Sequence, residues 1–403
     1  MHGGREVFLC TALRTPFGRY GGALSSIRTD DLAALPIRAL IERHARLDWA
    51  AVDEVILGCA NQSGEDNRNV ARMAVLLAGL PVSVSAVTVN RLCASGLEAI
   101  GQAARAIALG DVDLAIAGGV ESMSRAPYVM AKASAALGRE QKLEDTTLGW
   151  RLINPRMPDL HGVDTMAQTA ENLAREHNIA RSDQDAYALR SQQRALRARD
   201  AGEFAGEIVP VAIKHGAVAH GVSTDEGIRA ETTAEKLALL KPLLRDETTI
   251  TAGNASGIND GACAVLLASG TAVTRHALTP LARILGMASA GVEPRTMGIG
   301  PVPAIGKLLA RLGWSLADCD RVEINEAFAA QVLACTRALG FADDAAHVNA
   351  NGGAIALGHP LGASGARLAM TVAYALQRHG QQRALVSLCV GVGQGLALAL
   401  ERA

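Results

Sequence analysis

The amino-acid sequence predicts an α/β fold made of two similar halves, with a more polar segment inserted into the first. Three observations carry this. Apolar runs of strand length alternate with segments of helical spacing along most of the chain. A set of landmarks recurs in the same order at an offset of 265 to 270 residues. Residues 120–250 have no counterpart in the second half. Alternating strand and helix argues for largely parallel sheets covered by helices.

The strand-like runs of the first half are Val7-Phe8-Leu9-Cys10, Val55-Ile56-Leu57 and Leu114-Ala115-Ile116-Ala117. Those of the second are Ala282-Arg283-Ile284-Leu285, Val322-Glu323-Ile324 and Ala384 to Cys389. Between them Leu97, Ile100, Ala104 and Ile107 share one helical face, as do Leu308, Leu309 and Leu312. The repeat is legible in three landmarks. Leu47-Asp48-Trp49 leads through Asp53 into one strand; Leu312-Gly313-Trp314 leads through Asp318 and Asp320 into another. Ala94-Ser95-Gly96 opens a helix that runs to Gly110, and Ala363-Ser364-Gly365 opens one that runs to Gly380. Both helices lead into a strand, at Leu114 and Ala384. The halves are therefore expected at 1–119 plus about 250–270, and at 275–403. Two copies of one topology packed together would bring their equivalent helix starts near a common axis. The insertion, residues 120–249, holds helical pieces at Thr169 to His177 and Gln184 to Asp200. A segment of that size reads as a covering or substrate-holding domain.

Composition narrows the function. Apolar residues are 49% and charged residues 20%, which excludes a disordered chain. A net charge of −1 without a long basic run argues against nucleic acid as a partner. No run of about 18 apolar residues occurs, so no membrane span is expected. Met1 to Glu6 has no apolar stretch of signal-peptide length, and the expected compartment is the cytoplasm. The seven cysteines are widely spread with no C-x-x-C pair, which speaks against a zinc site or a disulfide framework.

Four constellations carry chemistry. In Val89-Asn90-Arg91-Leu92-Cys93-Ala94-Ser95-Gly96-Leu97 a strand ends and a helix begins. Cys93 stands at that helix start, where unpaired N–H groups favour an anion and should lower a thiol's pKa. The alternative is a buried structural cysteine. In Asn349 to Gly365, five glycines surround His359, which is set between Gly358 and Pro360 on a rigid turn. There it can act as a base or donor, or be a surface loop histidine. The repeat places His359 three residues before the equivalent of Cys93, and so brings the two together. Ser387 to Gly395 contains G-x-G-x-G, but Leu396 to Leu400 alternates like a strand and no phosphate-binding helix follows, so a dinucleotide site is rejected. Cys389 at that strand end is instead placed to shuttle a proton. Asn325, after the strand at Val322 to Ile324, can position a water or an oxyanion, or cap a helix.

Together these residues resemble the thiolase family. The match runs from Arg14-Thr15-Pro16-Phe17-Gly18 to Gly395 and includes Gly118-Gly119-Val120-Glu121-Ser122-Met123-Ser124 and Gly253 to Ala262. The resemblance implies a five-layered αβαβα fold of two βαβαβαββ halves with an inserted loop domain that binds coenzyme A. It implies an acyltransferase that moves an acyl group between CoA and a β-ketoacyl-CoA through a cysteine thioester. By motif position Cys93 resembles the acylated nucleophile and His359 its base. Cys389 resembles the second acid/base, and Asn325 the residue that holds an oxyanion-hole water opposite His359. The N–H groups of Cys93 and Gly391 would form a second oxyanion hole. Ser256, Ala255, Met166 and Arg229 correspond to contacts of the coenzyme. CoA is then a substrate, and no metal or other cofactor is implied.

Within the family, Gly58 to Arg72, Asp145 to Arg151 and Cys389 to Gly395 are similar to the branch that cleaves 3-oxoadipyl-CoA in aromatic-compound breakdown, giving succinyl-CoA and acetyl-CoA. A dicarboxylic chain needs a cation for its distal carboxylate, and Arg68, Arg72 and Arg151 are candidates, each of which could equally be a solvated surface arginine. Other readings are an acetoacetyl-CoA or general β-oxidation thiolase, a decarboxylating condensing enzyme, against which Cys389 argues, and a non-catalytic acyl-CoA or lipid binder. The family implies a homodimer or homotetramer, with tetramer contacts near residues 120–140.

Overall fold

In the computed structural model the described residues are 4–215, 218–244 and 248–403. The first half contributes β1 (Val7–Arg14), α1 (Thr29–Arg43), β2 (Glu54–Gly58), α2 (Val70–Ala78), β3 (Ser85–Val89), α3 (Ser95–Leu109) and β4 (Leu114–Ser122). The insertion follows; it includes a hairpin of Tyr128–Met130 and Leu143–Asp145 and the long helices α4 (Met166–Glu176) and α5 (Arg181–Asp200). The chain then returns to the first half through β5 (Asn259–Ser269). The second half holds β6 (Ala282–Gly291), α6 (Pro301–Leu312), β7 (Arg321–Ile324), α7 (Ala329–Ala338), α8 (Leu361–His379), β8 (Arg383–Val390) and β9 (Gln394–Arg402).

The strand order shows the duplication. The first half runs β3-β2-β4-β5-β1 and the second runs β7-β8-β9-β6, with Val348 bridging to β7 where β3 pairs with β2 in the first half. Parallel pairs form at β2–β3, β2–β4 and β7–β8; the other main pairs are antiparallel. Among the described residues the two half-sheets join where Phe8 and Leu9 meet Arg283 and Ala282. A small device recurs in both copies. Asp53 takes the N–H groups of Asp113 and Leu114, and Asp320 takes those of Gln382 and Arg383. Asp320, not Asp318, is thus the true counterpart of Asp53.

Helices α3 and α8 share one apolar cluster with the inner faces of both half-sheets. A second cluster packs α1 and α2 on the outer face of the first half, and another packs α6 on that of the second. These are the five layers. The equivalent helix starts meet: a Cβ on Gly96 would lie 2.5 Å from the Gly362 carbonyl, and one on Gly365 would lie 2.5 Å from the Leu97 nitrogen. Gly362, the counterpart of Cys93, is pressed just as hard; a Cβ there would sit 2.2 Å from the Val120 carbonyl. Since backbone lies on the far side, these contacts cannot relax by a rotamer change. We expect Gly365→Ala to destabilise the protein by about 3 kcal/mol or more, read as a lower urea midpoint. An unchanged midpoint would mean the two helix starts are not held in contact.

The insertion is tied to the first half by a buried ion cluster. Arg14, at the end of β1, donates to Glu207 at 2.8 Å and to Asp225 at 2.6 and 2.9 Å, all three groups being fully enclosed. Removing one partner from such a set leaves an uncompensated buried charge. Among the described residues no helix is long and apolar enough to cross a membrane.

Candidate active site

The turn between β3 and α3 fixes Cys93. Asn90 accepts the Leu92 N–H at 2.8 Å, while Ser95 Oγ accepts the Arg91 N–H at 2.9 Å and donates to the Leu92 carbonyl at 2.6 Å. Leu92 is held at φ +44°, a left-handed conformation that costs a side-chain-bearing residue roughly 1 kcal/mol. Val392, at φ +65°, lines the same cavity. Cys93 alone of the seven free cysteines is partly exposed; the other six are buried. Its opening is a cavity of about 300 Å³ walled by Leu148, Trp150, Met166, Gly391 and Val392.

The expectation of a depressed thiol pKa at Cys93 is overturned. Burial pushes the thiol up to about 11, against the pull of the N–H groups of Gly391 and Cys93 itself; Glu121 adds to the rise. The helix start offers only partial charges, and desolvation of a thiolate in a closed pocket outweighs them. Glu121 is buried, accepting the N–H groups of Ala60, Asn61 and Gly362 at 3.0, 2.9 and 2.8 Å, and burial raises its carboxyl to about 7. With Cys59 and Asp66 it forms a group close enough to hold a cation, but both Glu121 oxygens are already taken by backbone donors.

His359 stands just before α8. Its N–H donates to Asn259 at 2.9 Å, and its Nδ1 lies 2.6 Å from Ser364 Oγ. The single hydroxyl proton of Ser364 goes to the Pro360 carbonyl at 2.9 Å. Ser364 therefore accepts from His359, which assigns the ring proton to Nδ1 and leaves Nε2 free to take one. Burial, with help from the Arg367 charge, lowers the imidazole to about 3. Asn325 donates its own N–H to the Ser387 carbonyl at 2.9 Å, and its Nδ2 lies 3.4 Å from His359 Nε2. Its Oδ1 is buried with no donor among the described residues, so it calls for one from a ligand or solvent.

Cys389 is the penultimate residue of β8 and is fully buried. Burial holds its thiol well above the usual range, and the nearby thiols of Cys93 and Cys335 add to the rise. The structure thus sets Cys93 and Gly391 on one cavity wall, Cys389 two residues before Gly391 and within electrostatic reach of Cys93, and His359 against Asn325. Sequence reasoning gives no role to Ser364 or Glu121. Ser364 is visible as a repeat landmark, but its bond to His359 depends on how the turn at Pro360 is folded.

A second cavity, of about 400 Å³, reaches Gly358, next to His359. Ala255 and Arg229 line it, Ser256 lies between its wall residues Ala255 and Gly257, and Arg19 and Lys236 add positive charge. Met166 lines the Cys93 cavity instead. Of the three arginine candidates, Arg68 is exposed and Arg72 donates to the carbonyls of Val84 and Val82. Neither lines the Cys93 cavity; Arg151 does.

Two family models match, "Thiolase, N-terminal domain" over residues 7–271 and "Thiolase, C-terminal domain" over 278–402. The chain belongs to the thiolase family of acyltransferases. It is 64% identical, over 99% of both chains, to a protein of Pseudomonas aeruginosa named beta-ketoadipyl-CoA thiolase. It is 59% identical, over 99% of this chain and all of the other, to the 3-oxoadipyl-CoA/3-oxo-5,6-dehydrosuberyl-CoA thiolase of Escherichia coli. The solved structure of human mitochondrial 3-ketoacyl-CoA thiolase in complex with CoA superposes with a TM-score of 0.91 at 42% identity, covering 99% of this chain and 98% of that one. These matches exclude the condensing-enzyme and non-catalytic readings.

Proposed function

We propose that this thiolase cleaves 3-oxoadipyl-CoA with CoA to give succinyl-CoA and acetyl-CoA. The observation that carries the reading is the identity of 59 to 64%, over essentially the whole chain, with proteins named for that substrate. A protein named acetyl-CoA acetyltransferase, from Chromobacterium violaceum, is less similar, at 46%.

The site supports the following course. His359 Nε2 takes the Cys93 proton as the sulfur adds to the C3 ketone of the substrate. The N–H groups of Cys93 and Gly391 stabilise the tetrahedral oxyanion. The C2–C3 bond breaks, and its electron pair goes to C2 of the departing acetyl-CoA, whose enolate oxygen is stabilised beside His359 and Asn325. Cys389 gives its S–H proton to C2. Acetyl-CoA leaves, and the incoming CoA thiol returns a proton to Cys389 as its sulfur attacks the succinyl thioester. Cys93 departs as a thiolate and recovers its proton from His359.

The insertion, residues 120–249, is the coenzyme-binding element in this reading. Arg19, Arg229 and Lys236 supply cations for the CoA phosphates at the second cavity, and Ser256, Ala255 and Met166 flank the pantetheine. A homodimer or homotetramer is supported by the unpaired edge of β3 beside exposed Val82, Val87 and Leu76. The exposed hairpin residues Tyr128, Met130 and Leu143 extend that support.

Thiolysis kinetics test the substrate. We expect kcat/KM for 3-oxoadipyl-CoA to exceed that for acetoacetyl-CoA by at least about tenfold, which is about 1.4 kcal/mol. Equal or better use of acetoacetyl-CoA would replace the reading with a general thiolase.

A further inference from the structure

We propose that Arg151 is the specificity-determining residue that binds the distal carboxylate of the acyl chain; the inference rests on the dicarboxylic substrate proposed above. Among the described residues it is the one cation that lines the cavity into which Cys93 opens. The wall is largely apolar, with Leu148, Trp150, Met166 and Val392 suited to a short methylene chain, and the side-chain donors of Asn61, Asn90 and Thr146 that also line it are engaged within the protein.

The neighbouring arginines are already neutralised. Arg91 donates to Glu98 at 2.8 Å, Arg125 to Glu65 at 2.6 Å, and Arg295 to Asp164 at 2.9 Å. Arg151 forms no ion pair among the described residues. Its one hydrogen bond is a long contact of 3.4 Å to the Gly149 carbonyl two residues back. Asp66 is close enough to feel its charge, but the two form no ion pair among the described residues. Half-buried, Arg151 keeps an unspent guanidinium fork at the wall of a pocket whose other ionisable carboxyl, Glu121, is already held by the backbone N–H groups of Ala60, Asn61 and Gly362. Such a fork matches a carboxylate in two-point geometry, and a partly desolvated site strengthens the pairing. The coenzyme's phosphates do not need it, since Arg19, Arg229 and Lys236 surround the other cavity.

The test compares wild type, Arg151→Gln and Arg151→Lys in thiolysis of three substrates: 3-oxoadipyl-CoA, 3-oxohexanoyl-CoA, which ends in a methyl group at the same chain length, and acetoacetyl-CoA. We expect Arg151→Gln to lower kcat/KM for 3-oxoadipyl-CoA roughly 10- to 100-fold and to change the other two by less than about threefold. Arg151→Lys should recover part of the loss. A wild type that prefers 3-oxoadipyl-CoA together with an Arg151→Gln enzyme that keeps the preference would overturn the role of Arg151 and leave the substrate reading standing. A wild type with no preference for the carboxylate would overturn both. An equal fall on all three substrates would assign Arg151 to the coenzyme or to loop structure, and would also overturn the proposal.

Discussion

Cys93→Ser is expected to lower kcat/KM for thiolysis by roughly four orders of magnitude or more and to abolish the acyl-enzyme. Incubation of the wild type with acyl-CoA, followed by denaturation and intact-mass measurement, should show one added acyl group; the serine variant should show none. The size of the effect follows from the site. Serine has nearly the same volume as cysteine, so the strained turn at Leu92 and the N–H groups of Gly391 and residue 93 stay in place. A hydroxyl is a far weaker acid than a thiol, and a base held at about 3 cannot remove its proton to a useful extent. Wild-type turnover by the serine enzyme would mean that the covalent step lies elsewhere.

His359→Gln is expected to lower kcat roughly 10³-fold, with a smaller change in KM. Glutamine can still donate a hydrogen bond, so part of the stabilisation of the enolate oxygen survives, whereas proton removal from Cys93 does not. The resting pair is a neutral thiol and a neutral imidazole, because burial raises Cys93 to about 11 and lowers His359 to about 3. The pH dependence follows. Alkylation of wild-type Cys93 by iodoacetamide should rise about tenfold per pH unit from 7 to 10, as the thiolate fraction grows. A rate already flat above pH 6 would reveal a thiolate–imidazolium ion pair and contradict this electrostatic picture. Since the other six cysteines are buried, the label reports Cys93 selectively.

The duplication is legible in the sequence because its landmarks are local: a turn, a helix start and a strand start, each carrying its own residue signature. Those landmarks by themselves place Cys93 and His359 near one axis. They cannot rank Asp318 against Asp320, since both precede the strand and only the backbone donors they meet distinguish them. The pKa of Cys93 escapes a local reading for a related reason. The helix start is written within a few residues of Cys93, while the pocket that desolvates it is closed by Leu148, Trp150 and Met166 from the insertion and by Gly391 from the far half. Arg68, Arg72 and Arg151 are likewise equivalent as sequence. Two of them stay outside the cavity wall, and only the folded hairpin region shows which one faces in.

The crowding at Gly362 also sets how many acyl groups one chain can carry. A duplicated fold could in principle keep a nucleophile at both equivalent positions and load two. The position that mirrors Cys93 is pressed against the Val120 carbonyl and gives its N–H to Glu121, so no thiol can occupy it. In the proposed course the second half supplies base, acid and an oxyanion donor to a single sulfur. Half-of-sites arithmetic within one chain is thereby ruled out, and titration with acyl-CoA should saturate at one equivalent per polypeptide.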